Sequence, residues 1–379
     1  MPNGSARILI VAPGGIGDRG GIGRLVTSVI QGWETSGAAP RYQVVDPYGP
    51  KILAIAPFYF AWALLRIVWY ASRGEIRLLH VHMADKGSAV RKGIIVYLGK
   101  WLSVPVILHL HAANLHGFVG WLPAIGRGLF VHMLARADLV VVLGEFWRRL
   151  VVEELSVPVE RVRILHNAVY GPPEIPVRDA AGPCRLVFLG RIDASKGLPE
   201  LLEALASERL VGLDWQARVA GLGAIETFQR RAAALGLADR VRISDWVPEH
   251  EARRLLAEAD VFVLPSHHEG LSMAMLEALA FGLAVIATPV GATEEAVVDG
   301  VSGLLVPPGD VAALAEALAR VISDRRLRER LQREARRRFE EHFEVTQHCR
   351  SLESLYAEVG AGPRGTGSTD RADAVGATF

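Results

Sequence analysis

Short apolar runs recur along the chain, and helical stretches fill the intervals between them. Residues 7–12 (RILIVA), 42–46 (YQVVD), 78–82 (LLHVH), 104–111 (VPVILHLH) and 138–143 (DLVVVL) are nearly all apolar, and 162–165 is a shorter run. Each has the length of a strand. Strands apolar on both faces belong to parallel sheets that helices cover on both sides. The spacing also predicts an amphipathic helix over 22–33, after the first strand. The pattern breaks at 170–183 (YGPPEIPVRDAAGP), where Pro and Gly mark a linker. A second alternation follows, with strands predicted at 185–189, 216–220, 241–244, 261–264, 284–287 and 304–306. Two α/β domains of similar size result. Ligands of such sheets bind beyond the strand carboxyl ends, so two facing domains make a cleft. Residues 324–341 (DRRLRERLQREARRRFEE) read as a solvated helix with local charge pairs. The expected organisation is a first domain over 1–172, a linker over 173–183 and a second domain over 184–340. A helix over 341–359 is expected to pack back on the first domain. The segment 360–379 has few large apolar residues and is expected to be disordered.

One stretch is apolar without a clear period: 52–65 (ILAIAPFYFAWALL), then Arg66, then 67–70. Pro57 and Arg66 interrupt it, and a membrane span needs roughly 20 apolar residues. Two readings stand. One is a helix buried in the α/β domain. The other is a surface helix dipping into one leaflet, with Trp62, Trp69 and Tyr70 at the interface.

Composition narrows the class. Of 379 residues, half are hydrophobic and 22% are charged, which is a globular balance. Lys plus Arg number 42 and Asp plus Glu 41, so net charge gives no reason to expect a nucleic-acid binder. The two cysteines, Cys184 and Cys349, cannot form a disulfide framework or a cysteine zinc site. Residues 1–12 do not have the pattern of a secretory signal. A cytoplasmic location is expected, with peripheral contact on the inner membrane face.

Three segments carry candidate chemistry. Gly15-Ile16-Gly17-Asp18-Arg19-Gly20 matches G-x-G-x-x-G after the first strand, and Asp46 ends the second. That is the layout of a dinucleotide site, in which the acid takes the ribose hydroxyls. A tight turn, or a backbone that approaches a phosphate, accounts for the glycines equally well. In the second domain the first strand runs into Gly190-Arg191-Ile192-Asp193-Ala194-Ser195-Lys196-Gly197. Arg191 offers a bidentate fork and Lys196 a point charge, which together suit a diphosphate. Further on, the strand at 261–264 leads through Pro265-Ser266-His267-His268 to Glu269. Gly270, Leu271 and Ser272 follow, and then a helix containing Glu277. Free N–H groups at the helix start attract an anion.

Together these residues resemble the retaining glycosyltransferases of family 4 (group 1). These include sucrose-phosphate synthases, bacterial mannosyltransferases, and enzymes of exopolysaccharide and capsule synthesis. The E-x7-E element from Glu269 to Glu277 is the strongest match, and Gly190-Arg191 with Lys196-Gly197 is the second. Gly20-Gly21, Gly221 in Ala220-Gly221-Leu222-Gly223, and the segment from Gly291 through Glu295 to Val306 add to it. The resemblance spans about residues 7–345. It implies the GT-B fold, two Rossmann-like domains facing across a cleft. It also implies a nucleotide-diphosphate-sugar substrate (UDP or GDP), no cofactor and no essential metal. By position, Arg191 and Lys196 would neutralise the departing diphosphate. Glu269 would contact the transferred sugar and Glu277 the ribose. Gly20, Gly21, Gly221 and the Gly270–Ser272 amides would hold the rest of the sugar donor. Two positions depart from the family pattern: Ala292, where a glycine is usual, and Asp245-Trp246-Val247.

His80 and His82 alternate on one strand and His109 and His111 on another, so each pair shares a face. No carboxylate or cysteine set accompanies them, and no metal site is expected. His111 matches the family's histidine near the reacting sugar and is assigned to positioning. The segment 82–93 (HMADKGSAVRKG) resembles the exopolysaccharide subset. Ser88, Arg91 and Lys92 there are candidates for an anionic acceptor such as a polyprenyl-diphosphate sugar. A capped helix with an exposed basic first turn is the alternative. The expected activity is transfer of a sugar to a glycan or lipid-linked acceptor in bacterial surface polysaccharide synthesis. The domains are expected to close on the sugar donor. Two other readings are an NAD(P)-dependent oxidoreductase using the Gly15–Gly20 loop, and a nucleotide-sugar-binding protein without catalysis.

Overall fold

The computed structural model describes residues 6–15, 20–37, 40–49, 54–84, 87–178 and 182–360. The first sheet contains Arg7–Val11 (β1), Tyr42–Val45 (β2), Ile76–Met83 (β3), Val106–Leu110 (β4), Leu139–Val142 (β5) and Val162–Ile164 (β6). Its helices are Gly21–Ser36 (α1), Ala56–Ser72 (α2), Gly87–Trp101 (α3), Leu115–Trp121 (α4), Ala124–Arg136 (α5) and Glu145–Arg149 (α6). The strands are parallel, in the order β2-β1-β3-β4-β5-β6. Crossovers between parallel strands are right-handed. The step from β1 to β2 therefore puts α1 on one face, and the reversed steps from β2 onward put α2, α3 and α5 on the other.

The second sheet contains Cys184–Leu189 (β7), Trp215–Ala220 (β8), Val241–Ser244 (β9), Val261–Leu264 (β10), Ala284–Ala287 (β11) and Gly303–Leu305 (β12). Its order is β12-β11-β10-β7-β8-β9, also parallel. Leu198–Leu205 (α7), Ile225–Ala234 (α8), Glu249–Glu258 (α9), Met273–Ala280 (α10), Thr293–Ala296 (α11) and Val311–Ser323 (α12) connect the strands. Arg325–His342 (α13) packs on α10 and β11, whereas Val345–Gly360 (α14) packs on α1 and β3 of the first domain. Gly360 is thus helical, and the tail expected to be disordered otherwise lies outside the described residues, at 361–379.

Buried strand runs explain both cores. Every residue of β5, β10 and β11 is buried. Side-chain caps fix the helix starts that matter here. Ser272 accepts from the Met275 N–H at 3.3 Å, Asp310 from Ala313 at 2.9 Å and Asp324 from Leu327 at 2.9 Å. Each sheet has one switch point, between β1 and β3 and between β7 and β10, where successive loops diverge and leave a crevice. The loops after β1, β3, β7 and β10 all open there.

The helix read from 52–70 is α2, and it is not buried. Ala56, Ala63, Ile67 and Tyr70 are buried and Phe60, Leu64 and Ala71 pack partly against the core, while Phe58, Trp62, Leu65 and Trp69 are each more than half exposed. The outer face is as apolar as the inner one, which is why hydropathy left both a buried and a surface helix open; Tyr70, placed at the interface in the second reading, is buried. No described helix is long and apolar enough to cross a membrane.

Candidate active site

The two switch points face each other across a cleft of about 650 Å³, which is in the size range of small-molecule sites. Its wall includes all eleven residues singled out for catalysis or sugar-donor binding. From the first domain come Gly20, Gly21 and His111. From the loops after β7 and β8 come Arg191, Lys196 and Gly221. From the β10–α10 unit come Glu269, Gly270, Leu271, Ser272 and Glu277.

The second domain's two loops are locked together by backbone. Gly197 adopts φ +71°, and a Cβ there would lie 1.9 Å from the Pro265 carbonyl oxygen. Only glycine permits that approach. The His267 N–H also donates to the Ser195 carbonyl at 2.9 Å. Lys196 is thereby carried to Glu269, with Nζ 2.6 Å from Oε1. Ser266 Oγ donates to the same carboxylate oxygen at 3.0 Å. Arg191 donates through Nε to Asp193 at 2.8 Å, and its side chain is 70% exposed. Gly221 provides the second close approach, since a Cβ there would lie 1.6 Å from the Gly190 carbonyl oxygen.

Contacts between the domains border the cleft. Arg24, near the start of α1, forms an ion pair with Glu277. Burial lowers the Arg24 pKa from its ordinary value. Asn167 Nδ2 donates to the Leu271 carbonyl at 2.8 Å. Glu295 accepts from the Glu145 N–H at 2.6 Å, and its other oxygen lies 2.8 Å from His166 Nε2. Gly270 sits against the first domain, where an added Cβ would meet Leu143 at 3.1 Å. Sequence reasoning did not assign Arg24 or Asn167 to the site. A lone cation on the apolar α1 and an Asn in the chain leading out of β6 were the available signals.

The histidines form a hydrogen-bonded set between β3, β4 and α14. His80 Nδ1 lies 2.8 Å from the Tyr356 hydroxyl and His80 Nε2 lies 3.3 Å from His109 Nδ1. His82 Nδ1 lies 2.9 Å from His111 Nε2, and those two rings stack. Ligand atoms of His80, His82 and His109 fall within 4.8 Å of one another. Burial pushes His80 and His111 down to about 3 and His348 to about 4, and holds His82 and His109 well below their usual range. His111 is therefore neutral near pH 7. It keeps part of its surface on the cleft, where it can orient a hydroxyl.

Two further groups of candidates lie elsewhere. Ser88, Arg91 and Lys92 do not line this cleft. Ser88 Oγ accepts from the Ala84 N–H at 3.2 Å, and the Arg91 guanidinium sits 4.5 Å from the centre of the Tyr48 ring. Lys92 is fully buried, with no hydrogen-bond partner on Nζ, so it is not part of an exposed basic turn. Burial, chiefly, lowers its pKa to about 7. The Asp46 carboxylate is engaged by the N–H groups of Gly14 (3.0 Å), Tyr48 (2.8 Å) and Gly49 (3.0 Å). It closes a turn, a structural role that accounts for this acid without a ribose. The rest of that glycine loop, residues 16–19, lies outside the described residues.

Known proteins agree with this architecture. The model of the Glycosyl transferases group 1 family matches residues 178–338, and that of the Glycosyl transferase 4-like domain matches residues 7–168. The alpha-D-kanosaminyltransferase of Streptomyces kanamyceticus is 25% identical over 79% of the chain and 83% of that relative. The amylovoran biosynthesis glycosyltransferase AmsK of Erwinia amylovora is 30% identical over 51% of the chain. That match spans about half of the relative's own length (49%). Among solved structures, Anabaena HepE in complex with UDP and glucose superposes with a TM-score of 0.73. It covers 93% of this chain and all of that one, at 17% identity, a likeness of fold. Two six-stranded parallel sheets, a cleft between their switch points and both family matches lead to one conclusion: the chain belongs to the glycosyltransferases of the group 1, family 4 type, with the GT-B fold.

Proposed function

We propose that the protein transfers a sugar from a UDP- or GDP-sugar to a glycan or lipid-linked acceptor, with retention at the anomeric carbon and without an essential metal. The observation that carries this reading is the convergence of Arg191, Lys196 and the α10 N-terminus in one cleft. Cations and free N–H groups there can stabilise a leaving diphosphate, the task a metal performs in other sites. Ser272 caps α10, and the Gly270–Ser272 amides lie at its positive end. Glu269 is fixed by Lys196 and Ser266 and accepts from sugar hydroxyls. Glu277 accepts from the ribose in exchange for part of its pairing with Arg24. In the transfer, the acceptor oxygen bonds to the anomeric carbon as the bond to the diphosphate oxygen breaks. Both events occur on the same face of the sugar. The acceptor's proton passes to the departing phosphate oxygen, so no side chain need act as base. Neutral His111 orients the sugar, and His82 holds its ring.

Relatives support the polysaccharide context, since AmsK is named for amylovoran biosynthesis. HepE was solved with UDP and glucose, which fits the donor class. The test is a panel of UDP-, GDP-, ADP- and dTDP-sugars with and without EDTA, read as release of the nucleoside diphosphate. NAD and NADP serve as controls. Slow hydrolysis of one nucleotide sugar in EDTA is expected. Turnover only with added metal, or binding of NAD alone, would refute the reading.

A further inference from the structure

The apolar side chains that the fold leaves in solvent are concentrated on one layer. Right-handed crossovers place α2, α3 and α5 side by side on the same face of the first sheet, and α3 packs against both others. On α2, Phe58, Trp62, Leu65 and Trp69 recur at i, i+4, i+7 and i+11, one stripe along the whole helix. They are 74%, 62%, 61% and 53% exposed. Val90, Ile94 and Trp101 on α3 and Ile125 and Leu129 on α5 continue that surface, and each is exposed. On the second domain, by contrast, exposed large apolar residues such as Val211, Leu222 and Leu235 are scattered. A contiguous apolar surface of this extent marks a binding face.

Charge says what covers it. Helices α2, α3, α4 and α5 contain six Lys or Arg and no Asp or Glu, although the whole chain is nearly balanced at +1. Lys92 is buried and Lys100 is paired with Asp138 at 2.7 Å. Arg66 is half-exposed, and Arg127 and Arg136 are exposed. A second protein of ordinary composition would meet these cations with its own mixture of charges. An anionic bilayer meets all of them with one sign and takes Trp and Phe at its headgroup level. A stripe along a helix lying flat, with cations beside it, is the geometry of interfacial binding and not of spanning.

We propose that the outer face of α2, α3 and α5 docks on an anionic lipid surface, with the α2 stripe inserted among the headgroups. This goes beyond the activity proposed above and does not depend on it.

The test uses the full chain and vesicles of phosphatidylcholine with or without 30% phosphatidylglycerol, read by co-sedimentation. Binding to the anionic vesicles should exceed binding to the neutral ones at least tenfold, and should fall as NaCl rises from 50 to 500 mM. Trp62→Glu/Leu65→Glu should cut partitioning at least tenfold, and Arg127→Glu/Arg136→Glu should cut it several-fold. Val211→Glu on the second domain should leave it unchanged. Circular dichroism checks that each variant folds, and Trp62→Ser is the milder substitute if the double variant does not. No anionic-vesicle binding, or equal binding by folded face variants, overturns the proposal. So does a wild-type dimer that Trp62→Glu/Leu65→Glu dissociates, because a second copy would then cover the face. Release of nucleoside diphosphate from a soluble sugar nucleotide is measured in parallel, so that failure of docking and failure of the catalytic reading are separable.

Discussion

Replacing Lys196 by Met separates what the Lys196–Glu269 pair does for the fold from what it does for the reaction. The pair is enclosed, with side chains 17% and 11% exposed and Nζ 2.6 Å from Oε1. Removing one partner of a buried pair leaves the other charge uncompensated, at a cost of about 3–5 kcal/mol. Ser266 still donates to Glu269, so the low end, about 3 kcal/mol, is expected. For a domain of this size that is about 6–12 °C in Tm. The double variant Lys196→Met/Glu269→Gln removes both charges and keeps the Ser266 hydrogen bond. It should recover most of that stability. Turnover should not recover, because the leaving diphosphate has lost a stabilising cation in both variants. Loss of one such group costs about 10²–10³-fold in kcat. Calorimetry gives Tm, and steady-state release of the nucleoside diphosphate gives kcat and KM. If folded Lys196→Met keeps kcat within fivefold of wild type, Lys196 does not stabilise the leaving group and the reasoning fails. A double variant less stable than the single one would refute the charge argument for the fold.

Three further outcomes follow from other residues. Glu277→Gln should raise KM for the sugar nucleotide about tenfold with little change in kcat, and Arg24→Ala should raise it less; an unchanged KM in Glu277→Gln would remove that residue from the ribose. Because burial depresses the pKa of His80, His82, His109, His111 and His348, the unfolded chain takes up protons that the fold does not. Their stabilisation is therefore fully present only above about pH 7.5 and is lost as pH falls through the unfolded value toward the folded ones, by about 2 kcal/mol at pH 5 for each of His80, His111 and His348. Urea unfolding at pH 7 and pH 5 checks this, and equal stability at both would contradict the buried neutral set. Gly197→Ala should destabilise the second domain by more than about 1 kcal/mol and lower kcat, since its Cβ cannot coexist with the Pro265 carbonyl; wild-type Tm and kcat would refute the tie between the two loops.

Much of the fold was legible because the strands are buried on both faces, so their apolar runs needed no tertiary information. The second domain's site was legible for a related reason. Arg191 and Lys196 follow β7 directly, and Glu269 to Glu277 span one strand–loop–helix unit, so sequence neighbours are site neighbours. What joins distant segments was not legible. The Arg24–Glu277 ion pair and the Asn167–Leu271 hydrogen bond depend on how the two domains face each other. The link between His82 and His111 depends on strand register. One side chain misled by type. Lys92 reads as solvated, yet α3 turns it inward beneath its neighbours. The 52–70 stretch reads either as a buried helix or as a surface one, and the fold decides by turning the Ala63–Ile67–Tyr70 side inward and leaving the Phe58–Trp69 stripe in solvent. Binary pattern gives the face of a helix only when its two faces differ.

The most direct test of the central claim is the anomeric configuration of the transferred sugar. The enzyme, in EDTA, would be given the nucleotide sugar that it hydrolyses fastest, and early product would be followed by proton NMR through the H1–H2 coupling. The account predicts that the first product formed has the anomeric configuration of the α-linked nucleotide sugar, and that Lys196→Met slows its appearance at least a hundredfold. An inverted first product, or a reaction that proceeds only when a divalent metal is restored, would contradict it.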